Sequence, residues 1–140
     1  MYKSILVPID LGHVEQGKNI TRIAGSLLTL PGGQLTLLNV VPDIPGYVAN
    51  EIPDDIAVRA KTDSLKNLED IAGECGVNNV SKLIVRQGNT YHEILSSATD
   101  LDTDLIVMAS HKPDFTDYLI GSTTARVVRH ANCSVFVVRG

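Results

Sequence analysis

A glycine followed by three hydroxyl side chains, Gly121-Ser122-Thr123-Thr124, opens a helical pattern near the end of the chain. The first turn of a helix has backbone N–H groups without intrahelical acceptors and carries the positive end of the helix dipole, so it favours an anion. Small residues there let a phosphate approach the backbone, and the hydroxyls add hydrogen bonds. His111 and Lys112 stand on the polar loop upstream, facing the same helix end. A plainer reading needs no ligand: Ser122 or Thr123 caps the helix and the loop simply ends there. A second candidate is Asp10, placed directly after an apolar run. Its carboxylate suits a sugar hydroxyl or a metal, or else it forms a turn before a helix.

Other chemistries find less support. There is no Gly-x4-Gly-Lys-Ser/Thr phosphate loop, and the histidines at 13, 92, 111 and 130 lack metal-ligand spacing. Cys75 and Cys133 have no CxxC spacing and are expected to be reduced, unreactive thiols. A net charge of −4, aromatics at 4% and the lack of Trp argue against nucleic-acid binding and base stacking. No run approaches the roughly 20 apolar residues of a membrane span, and no signal peptide is read at the start. A cytoplasmic chain with no membrane contact is the expectation.

The elements that must position these residues follow from apolar periodicity. Ser4 to Asp10, Gln34 to Val41, Val80 to Val85, Leu105 to Ala109 and Ser134 to Val138 read as strands, the first apolar throughout, as a strand buried on both faces should be. Pro8 cannot donate to a ladder, so pairing is expected to stop there. Ile20, Ile23, Ala24, Leu27 and Leu28 predict a helix from about Val14, with Gly25 packed closely on the sheet. A second helix starts at Asp54 or Asp55, carries a stripe of Ala57, Ala60, Leu65, Leu68, Ile71, Ala72 and Cys75, and ends at Gly76. Thr90-Tyr91-His92-Glu93 fits a capping box for a third helix, and a fourth runs from about Gly121 to His130. Residues 42–52, punctuated by Pro42, Pro45 and Gly46, form a loop that either lies over a ligand or is a plain connection.

The order β-α-β-α-β-α-β-α-β implies one domain of 140 residues, with a parallel sheet covered by helices on both faces. In such sheets ligands bind beyond the carboxyl ends of the strands, where the strand order reverses. With order 3-2-1-4-5, Asp10, Val40 and the loop after Ala109 meet in one crevice. That convergence raises the phosphate reading above the capping one.

With these residues in place, the whole chain resembles the universal stress protein family. The likeness rests on Ile5 to Asp10, on Leu37 to Val41 and on Leu105 to Val138, most specifically on Gly121-Ser122 and Val127 to Val135; Ala109 to Asp114 is similar to the F/G-type branch. The resemblance implies the adenine nucleotide α-hydrolase-like fold and an ATP-binding, dimeric protein with a stress-response role. By resemblance, Asp10 holds the ribose, Ile9 and Val40 flank the adenine, and Pro8, Met108 and Ala109 line the pocket. His111, Lys112, Gly121, Ser122, Thr123 and Thr124 lie at the phosphates, with any Mg2+ held by the phosphates. The family's ATP motif is Gly, two residues, Gly, nine residues, Gly, then Ser or Thr. Here Ala109 and Lys112 stand at the first two glycines, and eight residues separate Lys112 from Gly121. The homodimer is expected through the last strand, Val135 to Val138, an apolar edge. Alternatives are a dimeric interaction module without nucleotide, or a slow ATPase or phosphoryl-transfer enzyme, for which a metal clamp and a positioned base would be needed.

Overall fold

The computed structural model describes residues 2–43, 46, 51, 53–110 and 121–139. Within them the chain forms β1 Ser4–Pro8, α1 Val14–Leu27, β2 Gln34–Val41, α2 Asp54–Glu74, β3 Ser81–Gln87, α3 Thr90–Asp100, β4 Leu105–Ala109, α4 Ser122–His130 and β5 Ser134–Val138. All strand pairs are parallel, in one sheet ordered β3-β2-β1-β4-β5. The architecture expected from the alternation of apolar runs is therefore present.

Alternate residues of the central strands feed two apolar layers. On one face Ile5, Val7, Leu35, Leu37, Leu105 and Val107 pack with Ile20 and Ala24 of α1 and with Leu68, Ile71 and Ala72 of α2. On the other, Leu6, Leu38, Ile106 and Met108 pack with Ile94 of α3 and Val127 of α4. Each such side chain contributes about 1.5–3 kcal/mol on burial, and the period of two along the strands fixes which helix pair each residue serves.

Three local expectations are corrected. Ala57 and Ala60 are exposed rather than part of a buried stripe, as are Ile56 and Val58; burial in α2 begins at Leu68. The residues of α2 that pack on the sheet, Leu68, Ile71 and Ala72, all lie in the carboxyl-terminal half of its 21 residues. The cap of α3 is Asn89, not Thr90: its side chain accepts the His92 N–H at 3.2 Å. Gly25 packs on Val77, in the α2–β3 connection, rather than on the sheet; a Cβ there would lie 3.0 Å from that side chain. Gly76 has φ +69 and follows the C-cap of α2, which suits a residue without a Cβ.

The amino edge of the sheet is closed. The Asp104 carboxylate accepts the N–H groups of Lys3 at 3.0 Å and Ser4 at 3.1 Å, and the Asp104 N–H donates to the Ser4 carbonyl at 2.9 Å. The Ser4 hydroxyl donates to the Leu101 carbonyl at 3.3 Å.

Candidate functional site

At the opposite edge the sheet splits. β1 pairs with β2 from Ser4 to Pro8, but with β4 only through Ile5 and Leu6. Pairing does not end at Pro8 as expected on the β2 side, because the Ile9 N–H still donates to the Leu38 carbonyl at 2.7 Å. Backbone groups alternate sides along a strand, so Pro8 faces β4, where it has no N–H to give. There the two strands part. The crevice between them has a volume of about 440 Å³, within the range of small-molecule sites. It reaches α1 on one face of the sheet and α3 and α4 on the other.

The β1–β2 wall is held by side chains that bond to backbone. Asn39 is buried, and its Nδ2 donates to the Ile9 carbonyl at 3.0 Å. Asp10 accepts the Gly12 N–H on Oδ1 at 2.8 Å, a two-residue side-chain turn that fixes its carboxylate. The second oxygen, Oδ2, lies 3.9 Å from Nε2 of His13, and the side chain is 66% exposed, so it remains open to a ligand. Gly17 lets α1 close on this wall, since a Cβ there would stand 3.1 Å from Ile9. On the far side of α1, the Lys18 ammonium bonds Glu74 at 2.6 Å and Glu15 at 2.9 Å, which ties α1 to α2. The bonds to Glu74 and then Glu15 raise the Lys18 pKa above the usual lysine value.

Backbone alternation also settles where Val40 points. Leu38 faces β1, and Asn39 faces β3 through the Asn39–Val85 register, so the N–H and C=O of Val40 turn toward β1. β1 has left the sheet by then, and Val40 lines the crevice. A backbone donor and an adjacent acceptor are therefore presented to whatever fills it.

The β4–α4 wall presents helix-end N–H groups. Thr124 is buried, and its hydroxyl donates to the carbonyls of Ala109 at 2.9 Å and Ser110 at 3.2 Å, while the Gly121 N–H donates to the Ser110 carbonyl at 3.0 Å. These bonds clamp the start of α4 to the end of β4. The N-cap is Gly121, without a side-chain cap bond, and not Ser122 or Thr123. The first intrahelical bond runs from the Ala125 N–H to the Gly121 carbonyl at 2.9 Å. The N–H groups of Ser122, Thr123 and Thr124 thus have no intrahelical acceptor, and the Ser122 and Thr123 hydroxyls are not spent on capping.

Of the residues singled out in the sequence, Pro8, Ile9, Asp10, Val40, Met108, Ala109, Thr123 and Thr124 line the crevice. Gly121 and Ser122 stand at the helix start beside it, and His111 and Lys112 lie outside the described residues. Asn39, His13, Gln16 and Thr90 also line it and were not singled out. A signal existed for His13 and Thr90: each begins a helix after a strand, and in a parallel sheet every such junction lies at the carboxyl edge.

Among known proteins, the chain matches the model of the Universal stress protein family over residues 1–139. It is 30% identical over 145 residues to Universal stress protein G of Escherichia coli O157:H7, covering 99% of this chain and 100% of that one. The solved structure of hypothetical protein MJ0577 is similar with a TM-score of 0.82 at 28% identity, covering 100% of this chain and 97% of the other. A universal stress protein solved in complex with cAMP shares the fold at TM-score 0.72 and 17% identity, covering 98% and 97%. One from Archaeoglobus fulgidus in complex with dAMP shares it at TM-score 0.65 and 20% identity, covering 97% of each chain.

Proposed function

We infer, from the premise that this chain belongs to the universal stress protein family, that its carboxyl-edge crevice binds an adenine nucleotide, ATP in the first instance. The observation that carries this reading is the pairing of two unlike walls across about 440 Å³. Val40 offers a main-chain donor beside an acceptor, which matches a ring nitrogen next to an exocyclic amine. The first turn of α4 offers N–H groups and hydroxyls, which match phosphate oxygens. Asp10, with Oδ2 open, is placed for a ribose hydroxyl. The fold relatives solved with cAMP and dAMP support the ligand class. Among the described residues no carboxylate lines the α4 side, and any Mg2+ is proposed to be held by the phosphates. Occupancy of the crevice is proposed to serve a regulatory role in a cytoplasmic stress response.

The active unit is proposed to be a homodimer through β5. That strand pairs only with β4 among the described residues, and its Phe136 is 43% exposed. The Ser110 N–H bonds the Val138 carbonyl, so Val138 and Phe136 face β4 while Val135 and Val137 present their backbone outward. Val137→Pro therefore removes an edge donor and leaves the β4 pairing intact. Sedimentation should show dimer for the wild type and monomer for the variant; monomeric wild type at micromolar concentration contradicts the dimer.

Calorimetric titration of ATP, AMP and adenosine tests the nucleotide reading. Adenosine should bind, and each added phosphate should strengthen binding at low salt. Absence of heat and of competition for all three rejects it.

A further inference from the structure

The geometry points to Asn39 as the positioning residue that keeps the base-reading edge of Val40 available, an inference that rests on the nucleotide reading above. In a regular parallel ladder the Ile9 N–H donates to Leu38, and the Val40 N–H then donates back to the Ile9 carbonyl. The first bond is present at 2.7 Å. The second is replaced: the Ile9 carbonyl accepts from Nδ2 of Asn39 at 3.0 Å, and the β1–β2 register ends at Pro8–Leu38. The substitution has a clear chemical logic. A buried carbonyl must find a donor. Were Val40 the donor, β1 would stay zipped to β2 and the Val40 N–H would be consumed. Because the side chain of the neighbouring residue supplies the donor, Ile9 is satisfied and the Val40 N–H stays directed at the crevice.

Asn39 is suited to this and to little else. Its own backbone belongs to the β2–β3 ladder through the pairing with Val85. The residue is 8% exposed, and only the amide nitrogen can meet a carbonyl, which fixes the orientation of the group. It also holds the residue directly before Asp10, so the base-reading and ribose-holding groups share one anchor.

The consequence is a selectivity effect rather than a general loss. Titrate adenosine and 1-deazaadenosine, in which a C–H replaces ring nitrogen N1, into the wild type and Asn39→Leu. The wild type should prefer adenosine by about tenfold, the value of one good hydrogen bond in a desolvated site. In Asn39→Leu the Ile9 carbonyl recruits the Val40 N–H, and the preference should fall to about twofold or less. A merely structural role would weaken both ligands equally and preserve the ratio. If the variant keeps the tenfold preference, Asn39 does not control the edge, while the nucleotide reading stands. If the wild type shows no preference, or binds neither ligand, the reading of Val40 fails and the role of Asn39 falls with it. Amide hydrogen exchange on the unliganded wild type needs no variant: the Val40 amide should exchange much faster than that of Leu38, and equal protection overturns the proposal.

Discussion

The two edges of the sheet use the same residue type in opposite ways. At the amino edge, both carboxylate oxygens of Asp104 accept strand N–H groups, joining the start of β1 to the approach to β4. At the carboxyl edge, Asp10 spends one oxygen on Gly12 and leaves the other open. The difference comes from strand pairing. β1 and β4 are paired at Ile5 and Leu6 and separated beyond, so backbone groups are consumed at one end and available at the other. Sealing one edge gives the sheet a fixed frame; opening the other turns strand ends and a helix start into binding groups.

Exchanging the roles of these two aspartates provides the largest contrast. Asp10→Ala should reduce affinity for ribose-bearing ligands by about 1.5–3 kcal/mol, the range for a hydrogen bond to a charged group, with a much smaller change in folding stability. Titration calorimetry and denaturant melts read the two quantities. Unchanged affinity would remove Asp10 from the site.

Thr124→Val comes next, and it separates structure from binding within the open edge. The substitution keeps the shape but withdraws the donor from the Ala109 and Ser110 carbonyls. Folding stability should fall by about 1–2 kcal/mol, and ATP should lose more affinity than adenosine, because only the α4 wall loosens. Equal stability in a denaturant melt would show that the clamp carries no load.

Asp104→Ala should act only on the frame, costing about 1 kcal/mol because its bonds are partly solvated, with nucleotide affinity unchanged. A loss of binding as large as that of Asp10→Ala would mean the edges are not independent.

The smallest effect concerns the thiols. Burial raises the pKa of Cys75, and burial followed by the nearby Asp104 charge raises that of Cys133. A raised pKa lowers the thiolate fraction at neutral pH, and the thiolate is the reactive form. Labelling by iodoacetamide at pH 7 should therefore be slower than for a free cysteine and should accelerate only above the ordinary thiol range. Fast labelling at pH 7 refutes this.

The alternation of strands and helices was legible because it depends on chain periodicity, which a single sequence displays; the order 3-2-1-4-5, on which the meeting of Asp10 with the β4–α4 junction depends, is not a property of periodicity and entered as a condition that the structure meets. β2, β4 and β5 have the bounds expected, for the same reason. Asn39 was not legible: its role is a bond to a carbonyl 30 residues earlier, and inside an apolar run it reads as an ordinary strand position. The stripe of α2 failed at Ala57 and Ala60 because periodicity gives a helix its inner face but not the part of its length that meets the sheet, here Leu68 to Ala72. Ser122 and Thr123 have the hydroxyls that favour capping in general, yet Gly121 is the N-cap of α4, and the hydroxyl that bonds backbone there is that of Thr124, on the carbonyls of Ala109 and Ser110.

The central claim is that base and phosphates lie on different walls of one crevice. Amide NMR shifts on titration with adenosine and then with ATP test it most directly. Adenosine should shift Val40 and Gly12 while leaving the amides of Ser122, Thr123 and Thr124 nearly unmoved; ATP should shift both sets, and added salt should reverse the second more than the first. Identical shift patterns for the two ligands at Ser122 to Thr124 would contradict a phosphate site on α4.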